Sequence, residues 1–339
     1  MTTVNSGGRA LVVGGHGAVG ATVTATLDEW FPGRVLAAGR SRGVRVDVTD
    51  PDAFGRTLDD LGDVTAVVLC VEPPDTRIAR LCLTRGIHLV DIGATPHLLD
   101  GVAALHGSAA EAGATAVLSV GVAPGLTNLL AARADKAVGG ADRIDLTVLL
   151  GSGERHGEDA VRWTVEGLAR PAGTARAARV PIPGHGTRTA RPFPFSDQHT
   201  LRGTLGVPEV TTRMCLDSTA LTSVVFAIRR LARHPRMRDL MTGAFRRVHI
   251  GGEDFAVRAD ARRGDRHAAY ALTGRAQSRV TALVAAHTTR AVLTGALPPG
   301  VHHIEELPAL AGIPEALAAD GVTAHGPLAD EPADGGPRR

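Results

Sequence analysis

The sequence contains few of the residues on which several large classes of protein depend. Its 339 residues include one lysine, Lys136, and one tyrosine, Tyr270, and aromatic side chains make up only 3%. Proteins that bind nucleic acid need a basic surface with side chains that stack on bases, whereas the formal net charge here is only +2. The composition therefore predicts no nucleic-acid partner.

The same scarcity excludes two kinds of covalent or proton-transfer chemistry. A Tyr-x-x-x-Lys pair cannot form, because the position four residues after Tyr270 is Gly274. A Schiff base could use only Lys136, which lies among alanines in a predicted helix. Thioester catalysis is also unexpected, because the segment from Gly121 to Pro124, where a second domain begins, carries no cysteine.

Cysteines and long apolar runs are also scarce. Cys70, Cys82 and Cys215 have no spacing typical of a metal site and cannot all pair, so we expect reduced thiols, no metal and a cytoplasmic protein. The longest apolar stretches, such as 66–71, are far too short to span a bilayer. The polar start of the chain, residues 1–8, predicts no signal peptide, and we expect no membrane partner.

The first third of the chain alternates short apolar runs with amphipathic segments. The predicted strands are 9–14, 34–38, 44–48, 64–71, 87–92 and 115–120. The helices predicted between them are 18–30, 51–61, 74–85 and 96–112. Strands that alternate with helices form parallel sheets through right-handed crossovers, so this region predicts a doubly wound, Rossmann-type α/β domain.

The pattern changes after residue 125 and predicts a second, α+β domain. Its predicted strands are 143–151, 210–217, 253–261 and 266–273, with helices at 126–138, 158–168, 219–233 and 235–245. Residues 170–206 are rich in proline and glycine and predict mostly loop with short strands. A helix at 276–294 could return to the first domain. We therefore assign 1–124 and about 276–325 to a nucleotide domain, 125–275 to a substrate or dimerisation domain, and 326–339 to a disordered tail.

A glycine-rich motif follows the first strand and opens the first helix. A G-x-G-x-x-G in this place permits a tight turn, close approach of backbone to a pyrophosphate, and close helix–strand packing. The residues are Gly15, His16, Gly17, Ala18, Val19 and Gly20. The motif predicts a dinucleotide site, and its alternative is a structural glycine turn.

The end of the second strand indicates which dinucleotide binds. Sites for NAD place an acidic residue there, whereas this chain has Gly39, Arg40 and Ser41, followed by Arg42. A guanidinium can pair with a 2′-phosphate, so NADP(H) is preferred and NAD(H) remains possible. The alternative is a solvated surface turn. Asp47 and Val48, at the end of the third strand, are expected beside the adenine, although Asp47 could instead cap the next helix.

Further cofactor contacts are expected where the fourth and fifth strands end. Cys70, Val71 and Glu72 lie at the end of the fourth strand, where backbone should face the nicotinamide ribose. Cys70 also fits a small core residue. Asp91 ends the fifth strand and is expected to border the same crevice, preferably as an anchor for the backbone of Gly93 and Ala94 rather than as a catalyst.

Several segments together resemble the saccharopine dehydrogenase-like family. They are 14–20, 46–50, 88–92, 121–129 and the helix with the following Leu-Pro-Pro-Gly-Val run within 274–301. The resemblance implies a nucleotide domain, an inserted substrate domain, a C-terminal helix that returns to the sheet, and NADPH-dependent reduction of C=N groups. The middle of the chain matches no pattern of that family, so the substrate is not implied.

Candidate residues for the reaction itself come mainly from the second domain. His199 is a candidate proton donor, and Asp197 is a second catalytic candidate in the same segment. Arg162 and Trp163 on one helix, and Asn128, are candidates for binding a small-molecule substrate. The function expected is reduction of an imine, or of a carbonyl or alkene, by a homodimeric oxidoreductase. The alternative is a non-catalytic dinucleotide-binding protein, such as a redox sensor or an assembly partner.

Overall fold

The computed structural model describes residues 7–154, 157–170, 175–247 and 251–329. The strands are β1 (Arg9–Val13), β2 (Val35–Gly39), β3 (Val44–Arg45), β4 (Val64–Leu69), β5 (His88–Asp91), β6 (Thr115–Leu118), β7 (Arg143–Leu150), β8 (Ala178–Ile182), β9 (Gly186–Pro192), β10 (Glu209–Leu216), β11 (Asp254–Arg263), β12 (Arg266–Arg275), β13 (Gly300–His303) and β14 (Thr323–His325). The helices are α1 (Gly20–Trp30), α2 (Pro51–Leu61), α3 (Arg77–Thr84), α4 (Pro96–Ala103), α5 (His106–Glu111), α6 (Thr127–Val138), α7 (Glu158–Ala169), α8 (Asp197–Thr204), α9 (Thr219–Ile228), α10 (Pro235–Arg247), α11 (Gln277–Leu293) and α12 (Ile313–Ala316).

The chain divides into two compact units. Of the described residues, 7–128, 157–160 and 278–317 form the first unit, and 129–154, 161–277 and 318–329 form the second. No helix among the described residues has both the length and the apolar character needed to cross a membrane.

The first unit is built on a parallel sheet with the strand order β3-β2-β1-β4-β5-β6-β13. Its first six strands follow the 3-2-1-4-5-6 order of the Rossmann fold. The strands are apolar because helices cover both faces of such a sheet. In β1, for example, Ala10, Leu11 and Val12 are fully buried. The Rossmann-type doubly wound sheet predicted from the sequence is confirmed.

Local signals in the sequence explain where the second helix begins and ends. The side chain of Asp50 accepts a hydrogen bond from the N–H of Ala53, and Pro51 occupies the first turn. Gly62, with φ of 74°, terminates the helix in the left-handed conformation that glycine adopts without strain. The prediction of a helix over 51–61 is confirmed.

The second unit contains a mixed sheet with the order β14-β12-β11-β7-β10-β9-β8. Strands β7 and β10 are parallel, and the other pairs are antiparallel. Strands β11 and β12, which correspond to the strands predicted at 253–261 and 266–273, form a hairpin with Gly264 at a φ of 53° in its turn. This mixed sheet with its helices confirms the α+β class of the second domain.

One face of this sheet carries buried charges. Arg213 on β10 and Arg258 on β11 are both in register with Thr147 of β7, and each is only 6% exposed. Arg213 pairs with Asp145 at 2.5 Å, and Arg258 pairs with Asp260 at 2.7 Å. Burial by itself raises the pKa of Asp145, but hydrogen bonds from Arg143 and Arg213 more than offset this and hold that pKa below its usual value.

Three sequence predictions about elements in the chain need correction. The strand predicted at 44–48 ends at Arg45, because the Asp47 side chain accepts the N–H of Thr49 and turns the chain. The helix predicted at 96–112 is two helices, α4 and α5. The helix predicted at 219–233 is α9 followed by a 3-10 turn over Arg229–Arg233.

The largest correction concerns the region predicted as mostly loop, 170–206. Its described part contains β8 and β9, paired as a hairpin, and then α8. Gly184 and Gly186, with φ of 75° and 66°, shape the turn of the hairpin. Pro181 is tolerated because β8 lies at the edge of the sheet, where its missing N–H breaks no ladder.

Two strands near the C-terminus were not predicted. Strand β13 pairs with β6 and extends the Rossmann sheet, and β14 pairs with β12. Just beyond β14, the N–H of Leu328 donates to the carbonyl of Ala269. The rest of the predicted disordered tail, residues 330–339, lies outside the described residues.

Candidate functional site

The glycine loop after β1 has the packing that the motif predicts. A Cβ on Gly20 would lie 2.7 Å from the carbonyl carbon of Gly14, closer still to its oxygen, and 2.9 Å from the Cα of Gly15. A Cβ on Gly15 would lie 2.8 Å from the carbonyl oxygen of Val12. These neighbours are backbone atoms and cannot rotate away. Gly20 is therefore required for close packing of α1 against the loop, and Gly15 for close packing of the loop against the end of β1.

The tip of the loop is open where an anion would approach. His16, Gly17 and Ala18 are exposed, and Val19 precedes the first turn of α1. Within the described residues no side chain caps this helix, and its first turn carries no acidic residue. The leading N–H groups of a helix lack intrahelical acceptors and its N-terminus is positive, so this end suits a pyrophosphate.

The arginine loop at 39–43 lies beside the glycine loop. Position 43 is glycine at a φ of 65°, and a Cβ there would lie 2.8 Å from Nε2 of His16. The His16 ring also lies near Gly39. Arg40, Ser41 and Arg42 are exposed in the bend between β2 and β3. The His16 side chain and the arginine loop therefore form one continuous surface.

Asp47 and Val48 have structural contacts within this neighbourhood. Both the N–H and the hydroxyl of Thr49 donate to the exposed Asp47 carboxylate, at 2.9 and 2.7 Å. These hydrogen bonds, with a smaller contribution from the charge of Arg40, lower the pKa of Asp47. Val48 packs against the apolar core beside the sheet. The carboxylate that caps α2 is Asp50, so Asp47 does not have that role.

The end of β4 is joined to the glycine loop and to the loop after β5. Val71 lies against Gly14, where a Cβ would come within 2.6 Å of its Cγ1. The hydroxyl of Thr95 donates to Glu72 at 2.5 Å. Burial raises the pKa of Cys70 to about 12, so this thiol stays protonated. Thr95 was missed in the sequence analysis because nothing local to it indicates a partner on another loop.

Asp91 anchors backbone at the end of β5. Its Oδ1 accepts the N–H of Gly93 at 2.7 Å, and the residue is 6% exposed. Burial, opposed by that hydrogen bond and reinforced by the charge of Glu72, raises the pKa of Asp91 to about 6. The Asp91 carboxyl group therefore titrates near pH 6, at the carboxyl edge of the sheet.

Replacing Asp91 by asparagine should change how stability depends on pH. An ordinary aspartate has a pKa of 3.8. The unfolded chain therefore loses this proton at lower pH than the folded chain, and the wild type loses stability relative to the variant as pH rises from about 4 to about 6. The full difference is up to about 3 kcal/mol, at 1.36 kcal/mol per pH unit. Asparagine retains an oxygen for Gly93. Urea unfolding of both proteins across this range measures the difference, and a constant difference would contradict the assignment.

The segment after β6 forms an irregular buried turn over Val122–Leu126. Asn128 is fully buried, and its side-chain oxygen accepts the N–H of Gly125 at 3.1 Å. The N–H of Leu126 donates to the carbonyl of Gly121 at 2.8 Å. Asn128 therefore stabilises the turn, and a substrate contact through this oxygen would compete with that bond.

The two catalytic candidates lie on helix α8 of the second unit rather than in a loop. Asp197 is fully buried, and its Oδ1 accepts hydrogen bonds from the hydroxyl of Thr212 at 2.5 Å and from the N–H of Gln198 at 2.7 Å. His199 is exposed. Asp197 therefore links α8 to β10 through Thr212. Its side chain is buried, whereas that of His199 is exposed.

The two substrate candidates on α7 also differ from each other: Trp163 packs within the second unit, whereas Arg162 is exposed. Trp163 packs against Phe193 and Phe195, with ring centroids 5.5 and 5.4 Å away. A Cβ on Gly167, one turn further on, would lie 2.5 Å from Phe193. Arg162 is exposed. Trp163 is therefore part of an aromatic cluster within the second unit.

Comparison with known proteins records similarity of fold only. No protein-family model matches the chain. The structure is similar to a DAP dehydrogenase from C. glutamicum in complex with DAP, at 14% identity and a TM-score of 0.49, over 93% of this chain and 99% of that one. It is also similar to an engineered D-amino acid dehydrogenase bound to NADP+, at 16% identity and a TM-score of 0.49, over 92% of this chain and 99% of that one. A third similar structure is a dipicolinate-bound dihydrodipicolinate reductase from Paenisporosarcina sp. TG-14, at 9% identity and a TM-score of 0.40. The similarity covers 87% of this chain and 97% of that one. These TM-scores are below 0.5, so the chemistry of these proteins is not transferred to the chain.

Proposed function

We propose that the chain is an oxidoreductase that uses NADP(H) to reduce a C=N bond in a small metabolite. The observation that carries the dinucleotide part is the glycine loop, in which Gly20 has no room for a Cβ and the uncapped N-terminus of α1 follows an exposed tip. The preference for a C=N bond, rather than a carbonyl or an alkene, rests on the resemblance to the saccharopine dehydrogenase-like family.

In this proposal, residues of the first unit would contact successive parts of the dinucleotide along the edge of the sheet. The backbone of Gly17, Ala18 and Val19 would bind the pyrophosphate through N–H groups. Arg40 would pair with the 2′-phosphate, and Ser41 would donate to it. Glu72, held by Thr95, lies at the end of β4, where a Rossmann sheet receives the nicotinamide half.

The proposed reaction requires little acid–base catalysis by the protein. When bound, the reduced nicotinamide supplies a hydride to the electrophilic carbon. An iminium carbon is already electrophilic, so the protein contributes chiefly by orienting the two reactants at about 3–3.5 Å. Reduction of an iminium forms an amine without a further proton at carbon, which is consistent with a site that needs no paired acid and base.

Replacing Arg40 by alanine should weaken NADPH binding about tenfold or more, a loss of about 1.4 kcal/mol for one phosphate contact. Affinity for NADH, which lacks the 2′-phosphate, should stay within about twofold of the wild type, a change of about 0.4 kcal/mol. Calorimetric titration with each cofactor measures both values. Arg56 is an exposed arginine on α2, and Arg56→Ala serves as the matched control with unchanged affinities.

Two results would count against this assignment. If Arg40→Ala lost the same affinity for NADPH and for NADH, Arg40 would not contact the 2′-phosphate. Failure of the wild type to bind either cofactor would reduce the glycine motif to a structural turn.

Turnover is tested separately by following NADPH oxidation with panels of amine and carbonyl pairs. Oxidation that requires both partners of a pair supports reduction of the imine that they form. Tight NADPH binding without turnover of any pair, carbonyl or activated alkene would instead favour a non-catalytic dinucleotide-binding protein.

A further inference from the structure

A pocket of about 400 Å³ lies within the second unit, and none of its lining residues is among the candidate site residues described above. It is bordered by the end of β9, the end of α9 with the following 3-10 turn, and the chain just before β8. The lining residues are Ala175, Ala177, Arg191, Pro192, Phe226, Ala227, Arg229 and Arg230. Three of these eight are arginines and none is acidic, so the wall of the pocket is strongly positive.

Ion pairs among the described residues do not neutralise these arginines. Within the part of the chain that the structure describes, Arg191, Arg229 and Arg230 have no carboxylate partner. This contrasts with Arg213 on β10 and Arg258 on β11, which each bind an aspartate. Guanidiniums that line one pocket without carboxylate partners repel one another, and an anion bound in the pocket would relieve that repulsion.

Arg191 provides a second, independent observation. Its Nε is buried and has no hydrogen-bond partner among the described residues. Its guanidinium carbon lies 5.9 Å from the centre of the Phe226 ring, and Phe226 is only 7% exposed. A buried donor without an acceptor costs free energy, and native structures usually satisfy such a group with protein, water or ligand.

We propose that this pocket binds an oxyanion of a small metabolite, a carboxylate or phosphate group, through Arg191, Arg229 and Arg230. Arginine forks match the geometry of carboxylate and phosphate oxygens and bind them with two parallel hydrogen bonds. Phe226 supplies an apolar wall for the rest of the molecule. A volume of about 400 Å³ falls within the range of sites for small ligands. The proposal does not depend on dinucleotide binding.

The test is calorimetric titration of the full chain with citrate and, separately, with inorganic pyrophosphate at constant ionic strength. Arg191→Met keeps an unbranched apolar stem and removes the guanidinium donors, and should weaken binding of at least one probe about tenfold or more. Arg230→Met should weaken the same probe, and because Arg230 is exposed this variant tests the pocket without affecting the core. The control is Arg179→Met on β8, which removes the same charge from an exposed position outside the pocket.

The two probes distinguish the chemical sources of the anion. Citrate binding that depends on Arg191 indicates carboxylates, and the corresponding result with pyrophosphate indicates phosphates. NADPH affinity should be the same in Arg191→Met, Arg230→Met and the wild type, so failure of the dinucleotide site would not be mistaken for failure of this one. Equal affinity in Arg179→Met and in both pocket variants, or no saturable binding of either probe at millimolar concentration, would overturn the proposal.

Discussion

Alanine at position 20 should reduce NADPH affinity at least 100-fold, a loss of about 2.8 kcal/mol, as measured by calorimetric titration. A Cβ there would meet the carbonyl group of Gly14 and the Cα of Gly15, all of them backbone atoms. The loop and α1 must therefore separate, and this moves the N–H groups that would hold the pyrophosphate. The same overpacking should lower the free energy of unfolding by about 2 kcal/mol, which urea denaturation measures.

Another glycine provides the matched control for this substitution. Gly107 lies in α5 and is exposed, and a Cβ added there would have nothing within 4 Å. Gly107→Ala should leave NADPH affinity unchanged and raise the free energy of unfolding by about 0.5–1 kcal/mol, because alanine loses less conformational entropy in a helix. If Gly20→Ala bound NADPH as tightly as Gly107→Ala does, close packing at position 20 would not be required for the site.

Removing the Asp260 carboxylate should lower the free energy of unfolding by about 3 kcal/mol or more. Arg258 is 6% exposed and makes two 2.7 Å contacts to Asp260, from Nε and Nη2. It also donates to the carbonyl of Pro181. In Asp260→Ala this carbonyl would remain, but it cannot neutralise a buried guanidinium. Chemical denaturation of the variant and wild type gives the difference.

Two further variants show whether the uncompensated charge is the cause. Arg258→Met in the Asp260→Ala background should recover part of the lost stability, because it removes the buried charge and keeps an apolar stem. Asp265→Ala changes the same residue type at the exposed tip of the β11–β12 hairpin and should alter stability by no more than about 0.5 kcal/mol. A double variant less stable than Asp260→Ala would contradict this explanation.

The parts of the fold that were predictable depend on interactions between residues close in sequence. Three features act within a few residues of the chain: the glycine motif, Asp50 with Pro51 at the start of α2, and the turn at Gly264. The local sequence is therefore sufficient to predict each of them. The Asx turn at Asp47 is just as local, but the alternating valines around it favoured a longer strand than the two residues observed.

The candidate site was predictable only where its residues follow the ends of strands. Placing the glycine loop, the arginine loop and Asp91 at one edge follows from the parallel order of the sheet. Two contacts join segments that are distant in sequence. His16 lies beside Gly43, and Thr95 donates a hydrogen bond to Glu72. The roles of Asp197 and Trp163 are likewise set by Thr212 and Phe193, whose contacts no local pattern indicates.

By itself, therefore, the sequence determined the class of the first unit, the position of its glycine loop and the absence of an acidic residue at the end of β2. These properties follow from periodicity, turn chemistry and the identity of single side chains. Only the tertiary structure decided that β13 extends the sheet, that Arg213 and Arg258 are neutralised, and that Arg191 lines a pocket with no acid in its wall. Pairing of distant strands and burial of charge depend on which segments the folded chain brings together, and that is a property of the whole core.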